Sequence, residues 1–313
     1  MTGYEENVDN QGKIAILGAG HVGSHCAMSL ASSRFSGEIA LIDLDPRKAE
    51  AQAQDVSDAL SSFPSHAVVR AGAYEDCADA DIIVIAIGEP WKPGQTRLDL
   101  LGASIGMLKG LLERLKPLNP CGIVITITNP ADIVADYVRK GLGLPRNRVF
   151  GTGTLLDSAR LVRILSEMTG LAREDIRAFS LGEHGDSSMI PFSQIRIEGR
   201  SFDTFDALDR TLILERTRRS GMDIIEGKGS TEFGIGQALA SLCHAILSDA
   251  KRVLPLSVAL EGEYGQNDVS CGVPCLVGRS GIEAVVELEL TEMELAQLAE
   301  SCGIIRKYMA LVQ

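Results

Sequence analysis

The chain has 313 residues, of which 45% are hydrophobic and 23% charged, so it is long enough for two domains and has an ordinary globular composition. Its formal net charge of −12 and the absence of a strong basic run argue against a nucleic-acid partner. No apolar run reaches the roughly 20 residues that span a membrane, and the acidic N-terminal segment does not resemble a signal peptide.

The first half of the chain alternates strands and helices. The pattern predicts strands at residues 13–17, 38–43, 68–70, 82–87 and 123–128, a helix ending near Ser33, and another helix beginning at Pro46. The runs at 82–87 and 123–128 are continuous and β-branched, as expected for parallel strands buried on both faces. This order predicts the α/β class, with a Rossmann-type doubly wound parallel sheet in residues 1–150.

The second half mixes helices with antiparallel strands. It predicts helices at about 154–168, 208–226 and 235–249, and strands around 176–181 and 192–197. Thr291 and Glu294 form a capping box for a helix that runs to the end of the chain. We therefore expect residues 151–313 to form a mixed α+β substrate-binding domain.

The seven cysteines are scattered along the chain and do not resemble a disulfide framework, which favours a reducing, cytoplasmic location. Cys271 and Cys275 are separated by three residues, but no second pair or histidine stands at zinc-ligand spacing. We expect no bound metal.

The turn after the first strand carries the glycine fingerprint Gly18, Gly20 and Gly23, and Asp43 follows at the end of the next strand. A side chain at these glycines would keep the backbone away from a pyrophosphate, whose charge the helix N-terminus meets. Asp43 can accept both ribose hydroxyls but would repel a 2′-phosphate. The turn therefore predicts NAD as the cofactor in preference to NADP.

Four further motifs occur in order. They are Gly88-Glu-Pro-Trp-Lys-Pro-Gly-Gln-Thr-Arg97-Leu-Asp, Thr128-Asn129-Pro130, Asp157-Ser-Ala-Arg160 and Gly182-Glu-His184-Gly-Asp. With the glycine turn, they make the sequence resemble the L-lactate/L-malate dehydrogenase family from Lys13 into the last helix, closest to the L-lactate and L-2-hydroxyisocaproate branch. The resemblance implies an NAD-dependent oxidoreductase that interconverts an L-2-hydroxy monocarboxylic acid and its 2-oxo acid.

The catalytic assignment combines spacing with this resemblance. Asp157 and Arg160 are three residues apart on one helix and can point into one cleft, where the guanidinium can grip a carboxylate through two hydrogen bonds. Alone, such a pair is more often a surface ion pair, and a lone histidine at position 184 would more often be structural. The resemblance marks His184 as the proton donor and acceptor, with Asp157 holding its ring.

Other residues are assigned around this centre. Asn129 can donate a hydrogen bond to the substrate carbonyl, and Arg97 lies in a Gly/Pro-rich loop that can close and bring a positive charge to that oxygen. The resemblance implies that Thr231 borders the substrate side chain. It also implies that the cofactor groove includes Val22, Lys48, Tyr74, Gly88, Thr128, Asn129 and Ile235.

The resemblance implies that Trp91 is the residue that selects the substrate by contacting its side chain. Lactate dehydrogenases typically have Gln at this position, and malate dehydrogenases have Arg. An indole cannot pair with a second carboxylate, so L-lactate or a larger apolar substrate is favoured and malate dehydrogenase is the alternative. A non-catalytic dinucleotide-binding protein of the same fold is a second alternative, but it would need none of the catalytic motifs.

The resemblance also bears on regulation and assembly. Allosteric bacterial lactate dehydrogenases bind fructose 1,6-bisphosphate through an Arg and a His, and this chain has Val162 and Arg177 at those positions. We therefore expect no strong activation by the sugar bisphosphate. The family implies a homotetramer or a homodimer.

Overall fold

The computed structural model describes residues 11–33, 35–62, 64–88 and 97–312, with the backbone alone at 97–100. Its strands are β1 (Lys13–Leu17), β2 (Glu38–Ile42), β3 (Val68–Ala71), β4 (Ile82–Ile85), β5 (Ile123–Thr126), β6 (Val149–Gly151), β7 (Ile176–Arg177), β8 (Arg196–Ile197), β9 (Arg200–Ser201), β10 (Arg252–Glu261), β11 (Asn267–Gly278) and β12 (Gly281–Val285). The α-helices are α1 (His21–Ser32), α2 (Pro46–Leu60), α3 (Arg97–Leu115), α4 (Ala131–Leu142), α5 (Leu155–Thr169), α6 (Arg210–Lys228), α7 (Phe233–Leu247) and α8 (Glu292–Met309). No helix in these ranges is long and apolar enough to cross a membrane.

A nine-stranded sheet forms the centre of the molecule, in the order β12-β11-β10-β6-β5-β4-β1-β2-β3. The six strands from β6 to β3 are parallel and follow the doubly wound order 3-2-1-4-5-6. The α/β class and the Rossmann-type sheet predicted from the sequence are therefore confirmed. A small antiparallel sheet of β7, β8 and β9 lies in the second half.

The central strands carry the core. Ile14, Ile83 and Val124 lie on β1, β4 and β5, and all three are fully buried. They divide between two apolar clusters, one on each face of the sheet. Because helices cover both faces, these strands need apolar side chains in both directions, which explains their unbroken apolar runs.

The strands predicted near 176–181 and 192–197 are largely irregular, which corrects the sequence reading. Strand β7 stops at Arg177, and the N–H of Ser180 is bound by the hydroxyl of Ser158 on α5 rather than by a neighbouring strand. A 3₁₀ turn occupies 192–194, where the N–H and hydroxyl of Ser193 both donate to Glu294 on α8. In both places a side chain takes the hydrogen bond that a strand partner would have made.

The hairpin of β10 and β11 was not predicted, although it joins the two halves of the chain. It extends the parallel sheet because Ser257 of β10 pairs with Gly151 of β6. The main chain after β6 passes very close to β10: at Gly153, with φ +49°, a Cβ atom would lie 2.4 Å from the main-chain nitrogen of Ser257. One continuous sheet therefore spans both halves.

Candidate active site

The glycine-rich turn joins β1 to α1 at the carboxyl edge of the sheet. Gly18 has φ +105°, and a Cβ there would lie 2.7 Å from the carbonyl oxygen of Ala86; a Cβ at Gly23 would lie 1.8 Å from the carbonyl oxygen of Gly18. A Cβ at Gly20 would meet nothing nearer than Lys48 Nζ, at 3.9 Å. Two glycines thus allow the turn to close, and the third leaves an open cradle with a cation beside it, which suits a pyrophosphate.

Asp43 follows β2 and is tied to the same turn. Its carboxylate accepts the N–H of Ala19 at 2.9 Å and that of Asp45 at 3.1 Å, and Lys48 Nζ lies 3.3 Å away. Burial raises the pKa of Asp43, but these hydrogen bonds and the lysine outweigh it and hold the pKa below its usual value. A negative charge therefore stands where a dinucleotide would place its ribose, and the turn and the carboxylate together fit NAD.

The remaining groove residues belong to elements around this turn. Tyr74 is half-buried, with the guanidinium of Arg114 at 5.0 Å from its ring centroid. Val22 on α1 and Ile235 on α7 are half-buried, and their helices pack closely because Gly236 brings α7 against the main chain of α1 at His25. Gly88 is exposed beyond β4, and the hydroxyl of Thr128 donates to the carbonyl of Ile87 at 2.6 Å.

His184 and Asp157 meet although they are 27 residues apart. His184 Nδ1 lies 2.6 Å from Asp157 Oδ2, and the other oxygen of Asp157 accepts a hydrogen bond from Arg160 Nη1 at 3.0 Å. The side chains of Asp157 and Arg160 are each 10% exposed, whereas that of His184 is 23% exposed. With Nδ1 engaged by the carboxylate, Nε2 is the ring nitrogen left to exchange a proton with a ligand.

The charges of this cluster favour imidazolium. Attraction to Asp157 raises the pKa of His184 above its usual value, against the opposing effect of burial. Burial raises the pKa of Asp157, but His184 and Arg160 outweigh it and hold the pKa below the usual range. Asp157 therefore stays ionised and stabilises a proton on the ring, as a general acid near neutral pH requires.

The loop that carries His184 is held by neighbouring main chain and by α8. Gly182 has φ +86° and exchanges two main-chain hydrogen bonds with Gly272 of β11, each 2.8 Å long. The N–H of Glu183 donates to the hydroxyl of Ser301 on α8 at 2.8 Å. These contacts fix the main chain on the N-terminal side of the histidine, so the ring position is set in advance.

Two residues that the sequence analysis did not single out complete the site. Gly221 of α6 lies over the guanidinium of Arg160: a Cβ there would be 3.3 Å from Nη1 and 3.5 Å from Nη2. Asp132 of α4 accepts the main-chain N–H of His184 at 2.8 Å. Asp132 stands three residues after Asn129, the one signal that could have drawn attention to it.

The other residues predicted to contact the substrate are Asn129, Thr231, Arg97 and Trp91, and the structure describes only some of their side chains. Asn129 is exposed after β5, and its carbonyl accepts the hydroxyl of Ser104 at 2.8 Å. Thr231 is half-buried between α6 and α7. Arg97 is the first residue of α3 rather than a loop residue, because the stretch that it opens is rich in leucine, a strong helix former. The side chain of Arg97 and all of Trp91 lie outside the described residues.

The described residues contain no group of three His, Cys, Asp or Glu side chains that could hold a metal ion. All seven cysteines are free thiols. The predicted absence of a metal stays a prediction.

The chain is similar to known proteins along both halves. The lactate/malate dehydrogenase NAD-binding domain matches residues 12–151, and the lactate/malate dehydrogenase α/β C-terminal domain matches 154–313. The chain is 42% identical to L-lactate dehydrogenase 3 of Bacillus cereus, over 97% of this chain and 98% of the relative.

Two solved structures from Cryptosporidium parvum are also similar. Its malate dehydrogenase is 30% identical with a TM-score of 0.91, over 96% of this chain and 99% of that one. Its lactate dehydrogenase, complexed with lactic acid and nicotinamide adenine dinucleotide, is 28% identical with a TM-score of 0.90, over 96% and 97%. The backbone alone therefore does not distinguish the two substrates.

Proposed function

The chain belongs to the lactate/malate dehydrogenase family and is an NAD-dependent 2-hydroxy acid oxidoreductase, and we propose that it interconverts L-lactate, or a larger apolar L-2-hydroxy acid, with the corresponding 2-oxo acid. The observation that carries this proposal is the largely buried cluster of His184, Asp157 and Arg160. It combines an acid/base with an anchor for a carboxylate.

In this mechanism Arg160 binds the substrate carboxylate and orients C2. Charge-assisted hydrogen bonds of this kind contribute about 1.5 to 3 kcal/mol each. In the direction of reduction, His184 donates the proton on Nε2 to the C2 oxygen, and the negative charge of Asp157 holds the imidazolium until that moment. When bound, NADH would supply the hydride for reduction of the 2-oxo acid, and NAD⁺ would accept it in the reverse direction.

The residues around the cluster take supporting roles. Asn129 donates to the C2 oxygen, and Arg97 adds a positive charge that stabilises the negative charge developing on that oxygen. Trp91 and Thr231 border the substrate side chain, while Asp43 favours NAD over NADP. The proposed cofactor groove consists of Gly18, Gly20, Val22, Gly23, Asp43, Lys48, Tyr74, Gly88, Thr128, Asn129 and Ile235.

At the level of the whole protein, we place NAD binding in residues 1–150 and substrate binding in residues 151–313. The seven free thiols support a reducing, cytoplasmic location. Val162 packs in an apolar cluster and offers no charge to a phosphate, although Arg177 is exposed on β7, so strong activation by fructose 1,6-bisphosphate is not expected. A homotetramer or homodimer is proposed from the family.

A substrate panel tests the proposal. NADH oxidation is measured with pyruvate, 2-oxoisocaproate, phenylpyruvate and oxaloacetate for the wild type and Trp91→Arg. We expect the wild type to prefer the monocarboxylates, because a buried second carboxylate without a partner costs several kcal/mol. Trp91→Arg should raise kcat/KM for oxaloacetate at least about tenfold and lower it for the apolar substrates.

Two outcomes would contradict the proposal. A wild type that prefers oxaloacetate would be a malate dehydrogenase. An unchanged substrate ranking in Trp91→Arg would show that residue 91 does not read the side chain.

A further inference from the structure

Asp132 contacts the main chain of His184, whereas Asp157 contacts its ring. Asp132 lies in the first turn of α4 and is 3% exposed. Its Oδ2 accepts the N–H of His184 at 2.8 Å, and its Oδ1 accepts the hydroxyl of Ser257 at 2.6 Å. Asp132 therefore restrains the main chain of His184, and Asp157 restrains its ring.

The surroundings of Asp132 are suited to a buried charge. A carboxylate without partners would be strongly destabilised in the interior, but each oxygen of Asp132 has a donor and the N-terminus of α4 favours an anion. Burial raises the pKa of Asp132 to about 6, against these hydrogen bonds. The group therefore loses its charge in mildly acidic solution, at a higher pH than an ordinary carboxyl group.

We propose that Asp132 is a positioning residue for His184, which fixes the main chain that carries the imidazole and supplies a second negative charge that favours imidazolium. With His184 protonated, the negative charge of Asp132 adds to that of Asp157 in attracting the imidazolium. Without the charge of Asp132 the imidazolium loses one of these attractions, and the ring loses its proton more readily. The inference rests on the proposed function, because it assigns a role around the same acid/base.

Titratable or charged groups act on this pair from three of the elements around it and from the loop of His184. They are Asp157 and Arg160 from α5, Glu183 from the histidine's own loop, Cys271 from β11 and Cys302 from α8. Ser257 of β10 contributes a hydroxyl without charge. Asp132 is the group among them that contacts the main chain of His184 and titrates near neutrality.

Asp132→Asn tests the charge with little change of shape. The amide oxygen can still accept the N–H of His184, but the negative charge is gone. Reduction needs His184 protonated, so kcat/KM falls as the pH rises through the pKa of the histidine. We expect this high-pH limb to move at least about half a pH unit lower in Asp132→Asn, with the affinity for NADH unchanged.

Ser257→Ala is the comparison variant, because it removes one hydrogen bond from Asp132 and keeps the carboxyl group. We expect the high-pH limb of Ser257→Ala to lie closer to that of the wild type than the limb of Asp132→Asn does. If Asp132 were merely structural, both variants would lower kcat/KM by a constant factor at every pH. An unshifted limb in a folded Asp132→Asn would overturn the proposal.

A titration of the wild type keeps the proposal testable if Asp132→Asn does not fold. The ¹³Cε1 resonance of His184, assigned by its loss in His184→Asn, should show its own titration and a second inflection near pH 6 from Asp132. A single inflection would overturn the proposal. Because this readout needs no turnover, it is separate from failure of the proposed function, which a wild type inactive on every 2-oxo acid would reveal.

Discussion

At the residue scale, the site depends on a guanidinium held in one orientation. Arg160 Nη1 donates to Asp157 at 3.0 Å, and a Cβ at Gly221 would come within 3.3 Å of the same nitrogen. A planar guanidinium binds a carboxylate through two parallel hydrogen bonds only when its plane is correctly set. The glycine therefore contributes to substrate binding although it has no side chain.

Gly221→Ala should weaken substrate binding. The added methyl group pushes against Nη1 and Nη2 of Arg160, and the guanidinium must shift because Asp157 restrains it. We expect KM for the 2-oxo acid to rise about tenfold, equivalent to about 1.4 kcal/mol, with a smaller change in kcat. Steady-state kinetics at saturating NADH give both values.

Gly227→Ala is the control on the same helix, since a Cβ there would meet nothing within 4 Å. Its KM should equal that of the wild type. Equal KM values for Gly221→Ala and Gly227→Ala would contradict the role of Gly221.

At the element scale, α8 supports segments on both sides of the histidine. Its first turn binds the 3₁₀ turn at 192–194 through Glu294, and Ser301 further along binds the N–H of Glu183. The capping box of Thr291 and Glu294 was predicted from the sequence and is present. The partnership of Glu294 with Ser193 was not predictable, because the two residues are 101 positions apart.

Glu294→Gln should destabilise the protein. The carboxylate accepts hydrogen bonds from Ser193 and Thr291, and a neutral amide with one oxygen cannot replace them all. We expect the free energy of unfolding to fall by about 1 to 2 kcal/mol at pH 7, measured by urea denaturation. Glu292→Gln, an exposed neighbour in the same turn, should change it by less than about 0.5 kcal/mol.

The difference in free energy of unfolding between the wild type and Glu294→Gln should decrease as the pH falls. Burial raises the pKa of Glu294, but hydrogen bonds from Ser193 and Thr291 outweigh it and lower the pKa below the usual value. The stability from the ionised group is therefore present above the unfolded pKa, about 4.3 for glutamate, and is lost as the pH falls through the folded value. A difference between wild type and Glu294→Gln that grew on acidification would contradict this account.

At the scale of the whole molecule, the site is assembled where the two halves of the sheet meet. Ser257 pairs with Gly151 across the β6–β10 junction and also binds Asp132, which in turn holds His184. Hydrogen bonds from the second half thus reach α4 in the first half. The continuous sheet holds Ser257, Asp132 and His184 in fixed relative positions, and acid/base catalysis requires such fixed geometry.

Sequence alone predicts what is local in this arrangement. The turn from β1 to α1, the parallel strands and the spacing of Asp157 and Arg160 all follow from short patterns. The contacts of His184 span 27 residues to Asp157 and 52 to Asp132, so no local pattern contains them. The first came from family resemblance, and the second was missed.

The most direct test of the central claim is NADH oxidation by His184→Asn with the best 2-oxo acid, together with a fluorescence titration of NADH binding. A positioned acid/base contributes about 10² to 10⁴ in rate, so we expect turnover to fall at least about 100-fold while NADH affinity stays near the wild-type value. His66→Asn, at an exposed position, should keep full activity. A His184→Asn enzyme that retained more than about a tenth of wild-type turnover would contradict the assignment of His184 as the acid/base.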